Sequence, residues 1–285
     1  GLRLGSGRLI RVGRLGIVVG LGHDAARHLL TFCAPYGGTL SSLTAALAAP
    51  GLGAGCSAER TNSTMYRVLV IGCGGSGAKT LGYMMDQLRA DLRVYGIEEI
   101  PGCWQFLNVD TPLQEEAPKS IAPVSKQGGH YVSCGVSSGA YRVVDEALVG
   151  DVQAQSSTGL RDMATWLPRR PEDVTVPLNI GAGQYRGIGR LVILTRLKEI
   201  QDAVRQAVEV MGHPDSLRAA EEVARRVPGV GTAPAIDMAP MVLVVSSMAG
   251  GSGASMTLDV CRLVAGTNLV PQINPDNISV FLYTA

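Results

Sequence analysis

The stretch Val68-Leu-Val-Ile-Gly-Cys-Gly-Gly-Ser-Gly-Ala-Lys-Thr80 decides the fold. With Tyr66 and Arg67 before it, an apolar run rich in β-branched residues stops abruptly at a glycine cluster. From Ala78 onward, Leu81, Met84, Met85 and Leu88 recur at helical spacing. Strand, glycine turn and helix in this order aim free backbone N–H groups and the positive end of a helix dipole at an anion. Gly72, Gly74, Gly75, Ser76 and Gly77 form that candidate loop, since glycines keep no side chain between backbone and phosphate. Gly72-x-Gly74-x-x-Gly77 also satisfies the dinucleotide fingerprint, which on its own is a weak match.

A second turn of the same kind lies far downstream. Met241-Val-Leu-Val-Val-Ser246 is a continuous apolar strand of the buried parallel type, followed by Ala249-Gly-Gly-Ser-Gly-Ala-Ser255 and a helix over Met256–Val264. Ser252, Ser255 and Thr257 place hydroxyls beside free amides, a set suited to phosphate or a hydrated Mg²⁺. A third glycine-rich turn, Asn179 to Arg190, leads into Leu191–Met211, with Leu197, Ile200, Val204 and Val208 at helix spacing. Between them, Trp104–Val109 reads as a strand ending in Asp110-Thr111-Pro112, at the carboxyl end where open α/β sheets bind ligands. Three glycine turns before helices and an Asp-Thr at a strand end imply a polyphosphate held from several sides by N–H dipoles.

Composition narrows the alternatives. A net charge of +1 with 17% charged residues shows no bias toward nucleic acid or a membrane surface. Aromatics at 5% leave little for base stacking, so no nucleic-acid partner is expected. The 36 glycines cluster in turns rather than in a repeat. The 6 cysteines contain no C-x-x-C pair and suit free thiols in a reducing, cytoplasmic compartment. His23 and His28 are wrongly spaced for one helix face, and no protein metal site is expected. No apolar stretch is long enough to span a bilayer.

Along the rest of the chain, residues 1–64 contain no lysine and no sustained periodicity, and the first methionine is Met65. They are read as an unstructured or non-native upstream segment, and residues 65–285 as one nucleotide-binding domain. Leu92–Gly96 reads as a short strand or loop edge, Leu113 to about Gly139 as loop, and Tyr141–Leu148 and Gly159–Trp166 as short helices. Ser216–Arg226 is a polar helix, and Ile278–Tyr283 is a last strand with nothing after it to cover it, so the domain is expected to be incomplete at its C-terminal end.

The four motifs, in this order, resemble the nucleotide-binding domain of the tubulin/FtsZ superfamily, most nearly the bacterial tubulin-like proteins. VIGCGGSGAKT resembles the first phosphate loop, FLNVDTP the Asn-Thr-Asp strand end, GAGQYRGIGR the loop facing the γ-phosphate, and MAGGSGAS the glycine-rich signature loop. The resemblance implies an α/β fold, a three-layer, mostly parallel Rossmann-like sheet with helices on both faces. It implies GTP or GDP with Mg²⁺ as ligand, head-to-tail filaments as the assembly, and a catalytic acid beyond this chain, supplied by the next subunit. Under it, Gly74–Gly77 and Gly250–Gly253 hold the α- and β-phosphates together with Gly251, Ser252, Ala249 and Ala254 of the signature loop. Gly181, Ala182 and Gly183 take the γ-phosphate, and Asp110 and Thr111 approach the metal or its waters. The sequence departs from the pattern at Lys79, where FtsZ has asparagine near the nucleoside, and at Val109, which replaces a threonine between Asn108 and Asp110. Two other readings stay open: an NAD(P)-dependent Rossmann oxidoreductase, with Glu98 or Glu99 as its ribose acid, and a ubiquitin-activating-type adenylating enzyme.

Overall fold

The structure is a computed structural model that describes residues 3–4, 7–12, 15–21, 64–137, 140–146, 167–168, 170–183, 185–266, 273 and 275–284. Three strands stand near the N terminus, β1 (Arg3–Leu4), β2 (Gly7–Val12) and β3 (Leu15–Leu21). Five more follow: β4 (Val68–Cys73), β5 (Trp104–Asp110), β6 (His130–Ser133), β7 (Met241–Ser247) and β8 (Ile278–Thr284). They form one sheet in the order β1-β2-β3-β8-β7-β4-β5-β6. From β8 to β6 every pairing is parallel, and β4 is central, with Cys73 beside Val109 of β5 and Ser246 of β7.

Parallel strands need crossovers, and the helices supply them on both faces. They are α1 (Gly74–Arg93), α2 (Arg186–Leu194), α3 (Leu197–Gly212), α4 (Pro214–Arg226) and α5 (Gly251–Ala265). Helices α1 and α4 cover one face through Leu81, Met85, Leu88, Ala220 and Val223, which pack on Val68, Val70 and Phe106. Helices α2, α3 and α5 cover the other through Ile188, Val204 and Val260, which pack on Leu69, Ile71 and Leu107. Every residue of β4 is therefore buried, which explains its unbroken apolar run. The architecture is the α/β, three-layer one expected.

Several boundaries differ from the sequence reading. Residues 92–96 are the end of α1 and a turn rather than a strand, and the last turn carries Arg93 where a cation suits the helix dipole. The segment 113–139 is not all loop: it contains a short 3-10 helix, Val124–Gln127, and the edge strand β6. Leu191–Met211 is two helices, because Thr195 and Arg196 leave the helical path and the Thr195 hydroxyl donates to the Val192 carbonyl. Helices α1 and α5 both begin earlier than their apolar periodicity, inside the glycine turns themselves. Residues 141–146 are helical, while residues 159–166 lie outside the described residues. The expectation of no structure across residues 1–64 does not cover β1–β3, which continue the sheet beyond β8.

Helix α1 sits on β4 at glycine distance. A Cβ built at Gly77 falls 2.8 Å from the Gly72 backbone and 2.9 Å from the Val245 carbonyl oxygen. Alanine in a helix interior ordinarily stabilises relative to glycine, but here the overpacking decides the sign. Gly77→Ala is expected to lower the unfolding free energy by about 2 kcal/mol, read from the urea midpoint. An unchanged or raised midpoint would show that α1 has room to move.

Candidate functional site

The carboxyl ends of β7, β4 and β5 are adjacent in the sheet, and the turns leaving them meet over its edge. Gly74 adopts φ +74°, and a Cβ there would lie 2.7 Å from the Gly253 nitrogen. A Cβ on Gly253 would lie 2.6 Å from the Cys73 carbonyl oxygen. The third turn joins them: the Gly251 N–H donates to the Gly183 carbonyl at 2.9 Å, and a Cβ on Gly251 would lie 2.4 Å from that oxygen. The β5 end is attached through the Thr111 and Ser252 hydroxyls, 2.8 Å apart. Four chain segments far apart in sequence thus meet almost entirely through backbone.

Between them opens a cleft of about 250 Å³. Helices α1 and α5 start at its floor, and neither has a side-chain cap or an acid in its first turn. The first N–H groups of a helix need an acceptor. Here no Ser, Thr, Asp or Asn side chain provides one at the N-cap, where Cys73 and Gly250 stand instead. The arrangement suits a ligand carrying its own anionic oxygens.

A family model described as tubulin-like matches residues 69–284, from the start of β4 to the end of β8. The chain belongs to the tubulin-like family. No curated protein matches it. The match takes in all five parallel strands and all three glycine turns of the tubulin-like domain, and no helix among its described residues is long and apolar enough to cross a membrane.

Of the residues singled out from sequence, Gly74, Gly75, Ser76, Asp110, Thr111, Gly181, Ala182, Gly183, Gly250, Gly251, Ser252 and Gly253 line the cleft of the tubulin-like chain. Gly72, Gly77, Ala249 and Ala254 do not: Gly72 and Gly77 press against each other beneath it and set the strand-to-helix distance. Ser255 and Thr257 also turn away, since their hydroxyls donate to the Gly251 and Gly253 carbonyls one turn back. Six lining residues were absent from the sequence-derived set: Cys73, Lys79, Pro112, Glu116, Ile180 and Ser247. Lys79 carried a usable signal, being four residues past Gly75 and so on the same helix face. Glu116 carried none, because a loop has no period.

The loop bearing Glu116 is held in place by its neighbours. The Tyr131 and Ser133 hydroxyls donate to the Pro112 carbonyl, and the Glu115 carboxylate accepts from the Val124 and Ser125 N–H groups. The Gln127 side-chain amide donates to the Gly82 carbonyl of α1. Asn108 is buried one pleat below Asp110, and neither end of its amide has a partner among the described residues. The Cys134 and Cys261 thiols are pushed up to about 12 by burial, and Cys73 is pushed up as well, so these are inert packing groups rather than nucleophiles.

Asp110 is the electrostatic centre. Burial pushes its carboxyl up to about 6, against the Thr111 N–H bond that favours the charge and with the Glu116 charge that opposes it. Because the folded value is raised, the stability it contributes is fully present below about pH 4 and is lost as pH rises through about 6. Asp110→Asn keeps an acceptor for the Thr111 N–H and removes that loss. Its advantage over the wild type should be absent near pH 3.5 and grow to roughly 3 kcal/mol above pH 7, read from urea unfolding at each pH. A constant difference across that range would show that Asp110 is not the titrating group.

Proposed function

We propose that the tubulin-like chain binds a guanine nucleotide, GTP or GDP with Mg²⁺, in this cleft, and that binding gates head-to-tail self-association. The observation that carries the reading is the backbone contact of three glycine turns, Gly74 with Gly253 and Gly183 with Gly251, at the carboxyl ends of parallel strands. Such a place takes ligands in open α/β sheets. The residues fit the group: a Cβ would fill the contacts at Gly74, Gly251 and Gly253, and two helices enter uncapped. Gly74, Gly75 and Gly250–Gly253 would hold the α- and β-phosphates, Gly181–Gly183 the γ-phosphate, and Asp110 with Thr111 the metal's waters. Bound Mg²⁺ would neutralise phosphate charge.

Guanine preference and self-association rest on membership of the tubulin-like family. A second support for assembly is the apolar rim at the cleft mouth, where Ile180, Tyr185 and Met248 are 62%, 50% and 41% exposed. An adjacent copy would cover them, in a heterologous contact that does not close. Among the described residues no carboxylate lines the Gly181–Gly183 side, so in this proposal hydrolysis draws on a group from that copy. The oxidoreductase alternative needs an acid at the ligand end of the sheet. Glu98 and Glu99 precede β5, at the opposite end, and Glu98 pairs with Arg93 at 3.3 Å.

Thermal unfolding of the full chain with GTP, GDP, ATP or NAD plus Mg²⁺ tests the reading. Guanine nucleotide at a hundred times its Kd should add about 2.7 kcal/mol of stability by mass action. A Cβ at Gly250 meets nothing within 4 Å, so Gly250→Val should fold and yet obstruct the cleft, abolishing the gain. Stabilisation by NAD or ATP alone would overturn the guanine assignment.

A further inference from the structure

We propose that Lys79 anchors the phosphate chain from α1 and lets the cleft hold a nucleoside diphosphate without a divalent cation, an assignment that rests on the nucleotide reading above. Among the described residues lining the cleft, Lys79 is the one cation, against the carboxylates of Asp110 and Glu116. It is exposed and forms no ion pair within the described residues, so its ammonium is available to a ligand.

Its position in α1 gives it reach. Gly75 and Lys79 are four residues apart and share a helix face, and that face looks at Asp110, since a Cβ on Gly75 would lie 3.7 Å from the carboxylate. Lys79 lies five residues past the first residue of α1, about 7.5 Å along the axis. The Cα–Cβ bonds of a helix tilt toward its N terminus, so the four-carbon stem leans back over the turn where the uncapped amides are. An anion at the start of α1 therefore meets N–H dipoles from below and an ammonium from the side.

Charge makes that ammonium necessary. A diphosphate brings several negative charges into a cleft that already holds two carboxylates, one of them buried. The glycine turns contribute only partial charges, and Arg186, the nearby arginine of α2, is committed to the Met248 carbonyl at 2.8 Å. Lys79 is the side chain left to offset the repulsion when no metal is bound. The neighbouring Thr80 does not share the task, because its hydroxyl donates to the Ser76 carbonyl within the helix.

Calorimetric titration of the full chain with GDP and with inorganic pyrophosphate, each in EDTA and in Mg²⁺, tests the assignment. Lys79→Met preserves helix propensity at an exposed site, so folding should be retained. In EDTA it should weaken both ligands by roughly tenfold to a hundredfold, with a smaller deficit in Mg²⁺. Lys79→Arg should restore binding, and Lys119→Met, which removes the same charge from the exposed loop, should change nothing. The Lys79→Met deficit should persist in a Glu116→Gln background. Loss of GDP binding with pyrophosphate binding intact would overturn the assignment, placing Lys79 at the nucleoside. A deficit that vanishes with Glu116→Gln would also overturn it, since Lys79 would then only neutralise that carboxylate. Wild type that takes pyrophosphate but no nucleotide would sink the nucleotide reading while leaving Lys79 in place. Wild type that takes neither would sink both.

Discussion

The site depends on the approach of one backbone to another without side chains between them. Gly74 meets Gly253, Gly183 meets Gly251, and Gly189 lies so close to α5 that a Cβ there would fall 2.5 Å from the Gly251 carbonyl oxygen. Glycine costs conformational entropy at every one of these positions. The cost is borne by the sheet beneath, where β4 and β7 are buried on both faces and fix where each turn begins. Any side chain at the contacts would push α1 and α5 apart, and the cleft between their N termini would lose its shape.

That constraint also sets the electrostatics. With side chains excluded from most of the floor, the positive potential comes from helix ends and amides. Charged groups enter only at the rim on the α1 side, from Lys79 and Glu116, and at the β5 end, from Asp110. Asp110 is held in a place that disfavours its charge, and the surrounding hydrogen bonds from Thr111 and Ser252 only partly compensate. A carboxylate so placed stabilises nothing in the empty protein; its environment becomes favourable when a cation or a proton is near. Near-neutral net charge fits a site that works through fixed dipoles rather than through a basic surface.

The elements themselves were readable because their causes are local. An unbroken β-branched run before a glycine cluster marks β4 and β7, and apolar spacing marks the buried face of α1 and α3. Their limits were harder. Helical glycines carry no periodic signal, so α1 and α5 read as starting after their first turns. The break at Thr195–Arg196 is invisible to a pattern that stays apolar across it. Strand β6 has only four residues and one buried position, too few to alternate.

Sequence alone determined that this is an α/β chain with anion-directed glycine turns, because strand–glycine–helix order is set within about a dozen neighbouring residues. It also determined the family, through the order of four motifs. Tertiary structure decided which glycines face the cleft and which, like Gly72 and Gly77, only space a helix from a strand. It decided that Ser252 points inward while Ser255 and Thr257 bond back into α5. It brought Lys79 and Glu116 to one rim from α1 and from a loop. The physical reason is that a side chain's partner depends on contacts between residues as far as 141 positions apart, as Thr111 and Ser252 are, and no local pattern encodes that distance.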